Sequence, residues 1–147
     1  MSCIRFNTPA QRRQMAAMAP SMITAEEAAE LHPAPPVTES KINRLRIMAT
    51  DANPKIRESV AASYHAPEEV YAALASDSDA GVRSWLARNE SVPCDILRTL
   101  AEDESETVRG FLALNFFVPA DVMDQLAEDE SETVRALVRW KSELATA

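Results

Sequence analysis

The chain has 147 residues, a formal net charge of −8, 46% hydrophobic residues, nine prolines and only two glycines. This length and apolar content suit one globular domain with a real core, and no run of about 18 apolar residues predicts a membrane-spanning helix. Because phosphate-binding loops, Rossmann turns and tight hairpins need glycine at positive φ, the glycine count excludes most nucleotide-binding architectures.

Residues 1–40 are predicted to form a separate segment of two short helices and an extended linker. Thr8 and Pro9 are typical of an N-cap followed by the first helical position. The sequence Thr-Ala-Glu-Glu at 24–27 matches a capping box. Three prolines within residues 32–36 favour an extended backbone.

The cellular compartment is predicted from two further features. The N-terminus lacks the apolar core of a secretory signal. Cys3 and Cys94 are too few and too far apart for a disulfide framework or a four-ligand metal site. We therefore expect a cytoplasmic protein with reduced thiols and no cofactor.

Residues 41–147 contain about four copies of a 26-residue repeat. The string LAEDESETVR occurs at 100–109 and again at 126–135, and the same offset continues in both directions without an insertion. An aspartate recurs in each copy, at Asp51, Asp77, Asp103 and Asp129. An arginine follows it six residues later, at Arg57, Arg83, Arg109 and Arg135.

Each repeat is predicted to form two short helices. In the second copy, apolar residues over 68–76 follow helical spacing after Pro67, and a second helix is expected over 80–88. Helices of about nine residues are not stable alone in water. They must stack on their neighbours, so we predict an all-α solenoid. Residues 1–40 are expected to cap its open end; the alternative is an arm that orders on a partner.

The repeats resemble the leucine-rich repeat variant family and its HEAT-like relatives. The resemblance rests on the order aspartate, valine–arginine, asparagine and proline, as in VYAALASDSDAGVRSWLARNESVP and ILRTLAEDESETVRGFLALNFFVP. It implies a right-handed superhelix of short paired helices, some of them 3₁₀ in part. Some relatives bind an iron–sulfur cluster through N-terminal cysteines, but Cys3 alone departs from that pattern.

The repeated aspartates and arginines are interpreted as structural residues, because every copy must pack on its neighbours in the same way. We call this set of equivalent Asp and Arg positions the ladder. An Asp–Arg pair can bridge the turn between its two helices or reach the adjacent repeat. Asn89 and Asn115 are expected to cap the second helices or to bond a loop backbone.

Residues that break the repeat are the candidate binding residues. Phe116 and Phe117 stand where the second copy has Glu90 and Ser91, and Tyr64 occupies the same loop of the first copy. These aromatic side chains are predicted to form a strip that contacts a partner; the alternative is that the two phenylalanines fill a gap in the packing.

Two other aromatic positions on the second helices are also assigned from the sequence. Trp85, Phe111 and Leu137 share one register position and are expected in the core. Trp140 is expected either to cover the open face of the last copy or to contact a partner.

The net charge differs between the first repeat and the rest of the chain, and this difference bears on which kind of partner the protein binds. Residues 41–66 carry a net charge of +3, whereas residues 67–147 carry −10. The duplicated EDESE segments, at 102–106 and 128–132, are expected to be solvated turns or an acidic strip that meets a basic partner.

We predict a non-enzymatic protein-interaction module, because neither a catalytic motif nor a metal-ligand spacing is present in the sequence. Its partner is another protein with a basic surface or a second copy at the stack ends. The alternative is binding of nucleic acid through the basic N-terminal end, against which the overall acidity argues.

Overall fold

The computed structural model describes Leu31 and residues 36–146. The chain divides into units of residues 1–36 and 37–147, and nearly all of the described residues belong to the second unit. The predicted helices and capping role of the first 35 residues, and Cys3, lie outside the described residues.

Residues 36–146 form eight helices and no strand, which confirms the predicted all-α class for this part of the chain. The helices are α1 (Glu39–Met48), α2 (Pro54–Ala61), α3 (Glu68–Ala75), α4 (Ala80–Arg88), α5 (Cys94–Leu100), α6 (Glu106–Leu114), α7 (Ala120–Ala127) and α8 (Glu132–Thr146). They form four pairs, in which odd-numbered helices come first and even-numbered helices second.

Local sequence explains where the helices begin. Pro67, Pro93 and Pro119 are the N-caps of α3, α5 and α7. Asp79 caps α4, where its side chain accepts hydrogen bonds from the Gly81 and Val82 N–H groups at 2.7 and 3.3 Å. The Asp79 side chain thereby satisfies two backbone donors that have no partner inside the helix.

The first helices are α-helical rather than 3₁₀. Hydrogen bonds of the i to i+3 type follow them at their carboxyl ends, as between the Ser76 N–H and the Ala73 carbonyl at 3.2 Å. Among the described residues none has a positive φ. The turns therefore need no glycine, which is the conformational reason why glycine is so rare in this chain.

The second helices form a continuous layer through the unit. Helix α2 packs on α4, α4 on α6, and α6 on α8, and each second helix also contacts the first helix of its own pair. The interior is apolar, and its side chains exposed by 1% or less include Leu74, Leu86, Leu100, Leu112 and Leu126. Each such leucine contributes about 1.5–3 kcal/mol on burial.

This order of packing is compatible with the predicted solenoid. Each pair contacts the next pair along the chain, so a helix too short to be stable alone is supported on both sides. The right-handed sense of the superhelix stays a prediction.

Candidate protein-interaction surface

The repeated arginines and aspartates join successive pairs of helices. The Arg83 guanidinium donates to both carboxylate oxygens of Asp103, at 2.7 and 3.0 Å, and Arg109 bonds Asp129 in the same way at 2.8 and 3.1 Å. Arg57 reaches Asp77 at 2.6 and 2.8 Å. Each arginine therefore binds the aspartate of the next repeat, which is 20 residues away in sequence.

The same side chains also close the turn inside their own repeat. Arg83 Nη1 donates to the Asp77 carbonyl at 2.6 Å, and Arg109 Nη1 donates to the Asp103 carbonyl at 2.7 Å. Asp77 Oδ1 accepts the Asp79 N–H at 2.9 Å. The sequence allowed two geometries for an Asp–Arg pair: a bridge across the turn of one repeat, or a bond to the adjacent repeat. Both are present in the structure.

Ionisation of the ladder is stabilised by these contacts. The hydrogen bond from Arg57 holds the pKa of Asp77 below its ordinary value, although burial opposes this. Burial by itself raises the pKa of Asp129, but the hydrogen bonds from Arg109 and the Ser131 N–H outweigh it and the pKa is lowered. Both carboxyls are therefore charged in the folded chain at neutral pH.

The ladder is open at Arg135, in the fourth pair. Arg135 bonds the Asp129 and Glu130 carbonyls and approaches Glu132 at 3.3 Å. Among the described residues, its side chain bonds no aspartate carboxylate. Its side chain is 31% exposed, compared with 7% for Arg109.

A second ladder runs through the ends of the second helices. Asn89 Nδ2 donates to the Ala61 and Ser63 carbonyls at 2.7 and 2.9 Å, and its Oδ1 accepts the Ser91 N–H. Asn115 makes the equivalent bonds to the Ala87 and Asn89 carbonyls at 2.9 and 3.3 Å. The predicted capping role of both asparagines is confirmed, since they are the C-caps of α4 and α6.

Lys141 replaces the asparagine in the fourth repeat. Its Nζ donates to the Ala113 carbonyl at 3.0 Å and to the Asn115 carbonyl, so the donor function is kept. An ammonium has no acceptor for a following N–H, and α8 continues to Thr146 instead of turning. Burial lowers the pKa of Lys141.

Large apolar side chains are exposed on the outer side of the second helices and in the loops that follow them. Trp85 is 40% exposed, so its predicted place in the core is wrong. Phe111 and Leu137, at the same register position, are only partly buried and pack against the core. On α4, Trp85 follows Val82 by one turn and therefore lies at the edge of the buried face that Val82 and Leu86 form, not at its centre.

Arg88 is held between two of these aromatic rings. Its guanidinium carbon lies 4.7 Å from the centre of the Trp85 ring and 4.9 Å from the centre of the Phe111 ring. Trp85 and Arg88 are one turn apart on α4, whereas Phe111 comes from α6. The contact thus depends on the stacking of two repeats.

Three hollows surround Arg88. One, of about 160 Å³, is lined by Tyr64 and Trp85, and another, of about 240 Å³, by Phe111 and Phe116. The third, of about 290 Å³, lies between Trp85 and Phe111 and reaches Lys55 and Glu58. All three share Arg88. We call the group Tyr64, Trp85, Arg88, Phe111 and Phe116 the Arg88 surface.

The four predicted binding residues are all exposed, but only two belong to this surface. Tyr64 is 63% and Phe116 82% exposed, and both line hollows beside Arg88. Phe117 is 60% exposed in the same loop as Phe116, and Trp140 is 52% exposed on α8. Sequence reasoning missed Arg88, which shares its register position with Ala62, Leu114 and Trp140. The signal was its charge at an otherwise apolar position.

The duplicated acidic segments lie at the turns between first and second helices. Glu104 is 89% and Glu130 84% exposed, although they approach Arg83 and Arg109 at 3.4 and 3.1 Å. A hollow of about 350 Å³ between these two turns is lined largely by carboxylates.

Basic residues near the start of the unit are mostly paired. Arg46 bonds Glu69 at 2.8 Å and Lys55 bonds Glu58 at 2.7 Å. Arg57 belongs to the ladder. This pairing reduces the positive charge that the sequence assigns to residues 41–66.

Within the described residues, no helix combines the length and the apolar composition needed to cross a bilayer.

The chain matches no family model, no curated protein and no solved structure.

Proposed function

We propose that this chain is a non-enzymatic protein-interaction module of the cytoplasm, acting as an adaptor, inhibitor or regulator through the Arg88 surface. We also propose that residues 41–147 belong to the leucine-rich repeat variant or HEAT-like type. The 26-residue period and the four pairs of helices support the second proposal.

The observation that carries the functional proposal is the exposure of aromatic side chains around Arg88. Exposed aromatic rings cost free energy in water, and Trp, Tyr and Arg are the residues most often found at the energetic centres of interfaces. The repeated ladder residues are satisfied within the chain, whereas the Arg88 surface differs from one repeat to the next. Packing does not explain why a loop should carry Phe116 at 82% exposure.

Nucleic-acid binding has less support. Phosphate contacts need unpaired lysines and arginines, and Arg46, Lys55 and Arg57 are already bonded to carboxylates.

The proposal is tested by comparing what three forms of the full chain capture from native cell extract after nuclease treatment. The test variant, Phe116→Glu with Phe117→Ser, introduces the residues of the second repeat. The control variant, Ile47→Ser, removes another exposed side chain, which is 73% exposed on α1. We expect a partner retained by the wild type and the control and lost by the test variant, with unchanged thermal unfolding in all three.

A partner that all three forms retain equally contradicts the assigned surface. A partner released by the nuclease contradicts the protein-binding function and favours nucleic acid. If no form retains any protein above background, the proposal is wrong.

A further inference from the structure

Arg88 differs from the ladder arginines because no carboxylate neutralises it. Arg83 and Arg109 each bind a carboxylate through two nitrogens. Among residues 36–146, the contacts of Arg88 are its two aromatic rings, at 4.7 and 4.9 Å. A guanidinium has five N–H donors, all at its edges. The two ring contacts are cation–π contacts and supply no oxygen acceptor, so these donors remain for an acceptor on a partner.

The two ring contacts also restrain the guanidinium before any ligand arrives. A long arginine side chain normally loses rotamer freedom on binding. Trp85 and Phe111 are supported by α4 and α6, which pack directly on each other. A planar guanidinium held in this way is preorganised for two-pronged bonds to a carboxylate.

The hollows beside Arg88 match side chains better than a whole small ligand. Their volumes, about 160, 240 and 290 Å³, lie below the roughly 300 Å³ at which ligand pockets usually begin. Apolar rings line them on opposite sides of Arg88, with Tyr64 on one side and Phe116 on the other. A segment that crosses Arg88 can therefore place an apolar side chain in each.

The neighbouring charges favour a carboxylate over a phosphate. Glu90 lines the hollow of Phe116, and Glu58 lines the hollow of Lys55. Lys55 neutralises Glu58 at 2.7 Å, so Arg88 is the free cation of the described residues that line the three hollows. A phosphate of nearly two charges would be repelled more strongly by Glu90 than a carboxylate of one charge. A further cation, Lys141, lies 6.0 Å from the centre of the Phe116 ring and donates to the Ala113 and Asn115 carbonyls.

We propose that Arg88 binds an aspartate or glutamate of the partner protein, within a segment whose flanking apolar side chains occupy the hollows of Tyr64 and Phe116. This inference rests on the proposed protein-interaction function and specifies the chemistry of the partner.

The experiment begins with a displayed library of random 12-residue peptides selected on the full chain. Selected peptides are then synthesised in three forms: as selected, with Asn or Gln in place of the acidic residue, and with phosphoserine in its place. Their affinities are measured by calorimetry for the wild type, Arg88→Gln and Arg88→Lys. Arg44→Gln is the control, because Arg44 is an exposed arginine on α1 that makes no ion pair among the described residues.

We expect the selected peptides to share an acidic residue between apolar residues. Removing either member of a charge-assisted pair should weaken binding about tenfold or more, and removing both should cost little beyond removing one. Arg88→Lys should recover only part of the loss because it lacks the planar fork. Arg44→Gln should bind like the wild type, and thermal unfolding of all variants should be unchanged.

Three results overturn the inference. Selected peptides without an acidic residue contradict it, as does binding that is unchanged in Arg88→Gln or stronger with phosphoserine. In these cases the proposed function survives if Phe116→Glu with Phe117→Ser still abolishes peptide binding. If the library yields no peptide that binds the wild type, both the inference and the proposed function are contradicted.

Discussion

The turns between first and second helices differ from the exposed side of the second helices in how closely their residues repeat and in how far they are buried. At the turns, Arg83 and Arg109 occupy the same register position, make the same bonds and are 7–8% exposed. On the exposed side of the second helices, Trp85 stands where the preceding repeat has Ser59, and Phe116 stands where the preceding repeat has Glu90. The two side chains are 40% and 82% exposed. Residues that recur are satisfied within the chain, whereas residues that change from repeat to repeat remain available. In a repeat protein, deviation from the repeat is therefore the better indicator of a binding site.

The largest expected effect comes from cutting the ladder in its interior. Arg109→Ala leaves Asp129 as a buried carboxylate without its cation, and we expect the free energy of unfolding to fall by about 3–5 kcal/mol. Urea denaturation measures this loss. The matched control is Arg135→Ala, because the Arg135 side chain is 31% exposed and bonds no aspartate carboxylate among the described residues. This variant should cost about 0–1 kcal/mol. Equal losses in the two variants would show that the ladder does not stabilise through its links between repeats.

A smaller loss is expected in the asparagine ladder. Asn115→Ala removes the donor for the Ala87 and Asn89 carbonyls and the acceptor for the Phe117 N–H. Leaving such buried groups unpaired should cost about 1–3 kcal/mol in the same measurement.

The control for the asparagine ladder is Ser63→Ala. Ser63 has the same register position in the first repeat, but within the described part of the chain its side chain accepts a single long bond, from the His65 N–H at 3.4 Å. Its replacement should change stability by less than about 0.5 kcal/mol. A comparable loss in both variants would show that the asparagine is not distinguished by its bonds to the preceding repeat.

The smallest effect concerns Lys141 and depends on pH. Because burial lowers the pKa of Lys141 in the folded chain, the unfolded chain binds more protons between that pKa and the ordinary lysine value of about 10.4. The charged form therefore destabilises the folded chain below the folded pKa, and this cost is relieved as pH rises through the interval.

The variant Lys141→Asn carries no such group, so its stability relative to the wild type should decline as the pH rises toward the ordinary lysine pKa of about 10.4. The hydrogen bond to Glu58 raises the pKa of Lys55, which changes stability with pH in the opposite direction. This contribution is the same in both proteins, so it cancels when the stability of the wild type is subtracted from that of the variant. The shift should be smaller than the loss in Asn115→Ala. A difference that does not vary with pH contradicts the burial of the Lys141 ammonium.

Most of the local structure could be predicted from the chain. The helices expected over 68–76 and 80–88 are found at Glu68–Ala75 and Ala80–Arg88. Prolines and capping residues act on the backbone within a few positions, so their effect does not depend on the rest of the molecule.

The candidate site was predicted only in part. Tyr64, Phe116 and Phe117 break the repeat, which predicts binding residues at these positions, and all three are exposed. For Trp140 the sequence leaves open whether it covers the last copy or contacts a partner, and its side chain is 52% exposed. The position of Trp85 was predicted wrongly, because a large aromatic residue at a recurring position on α4 suggests a core residue. Whether that position points inward depends on where α2 and α6 pack against α4, and no local pattern contains this information.

The sequence by itself determined the period, the class of structure and the ends of the helices, because each follows from contacts within a few residues or from repetition along the chain. The tertiary structure decided which aspartate each arginine binds, since residues 20 positions apart meet only when the pairs stack. It also decided that Arg88 lies between Trp85 and Phe111 without a carboxylate. That contact joins two repeats, so the packing of α4 on α6 places the charge where a partner can reach it.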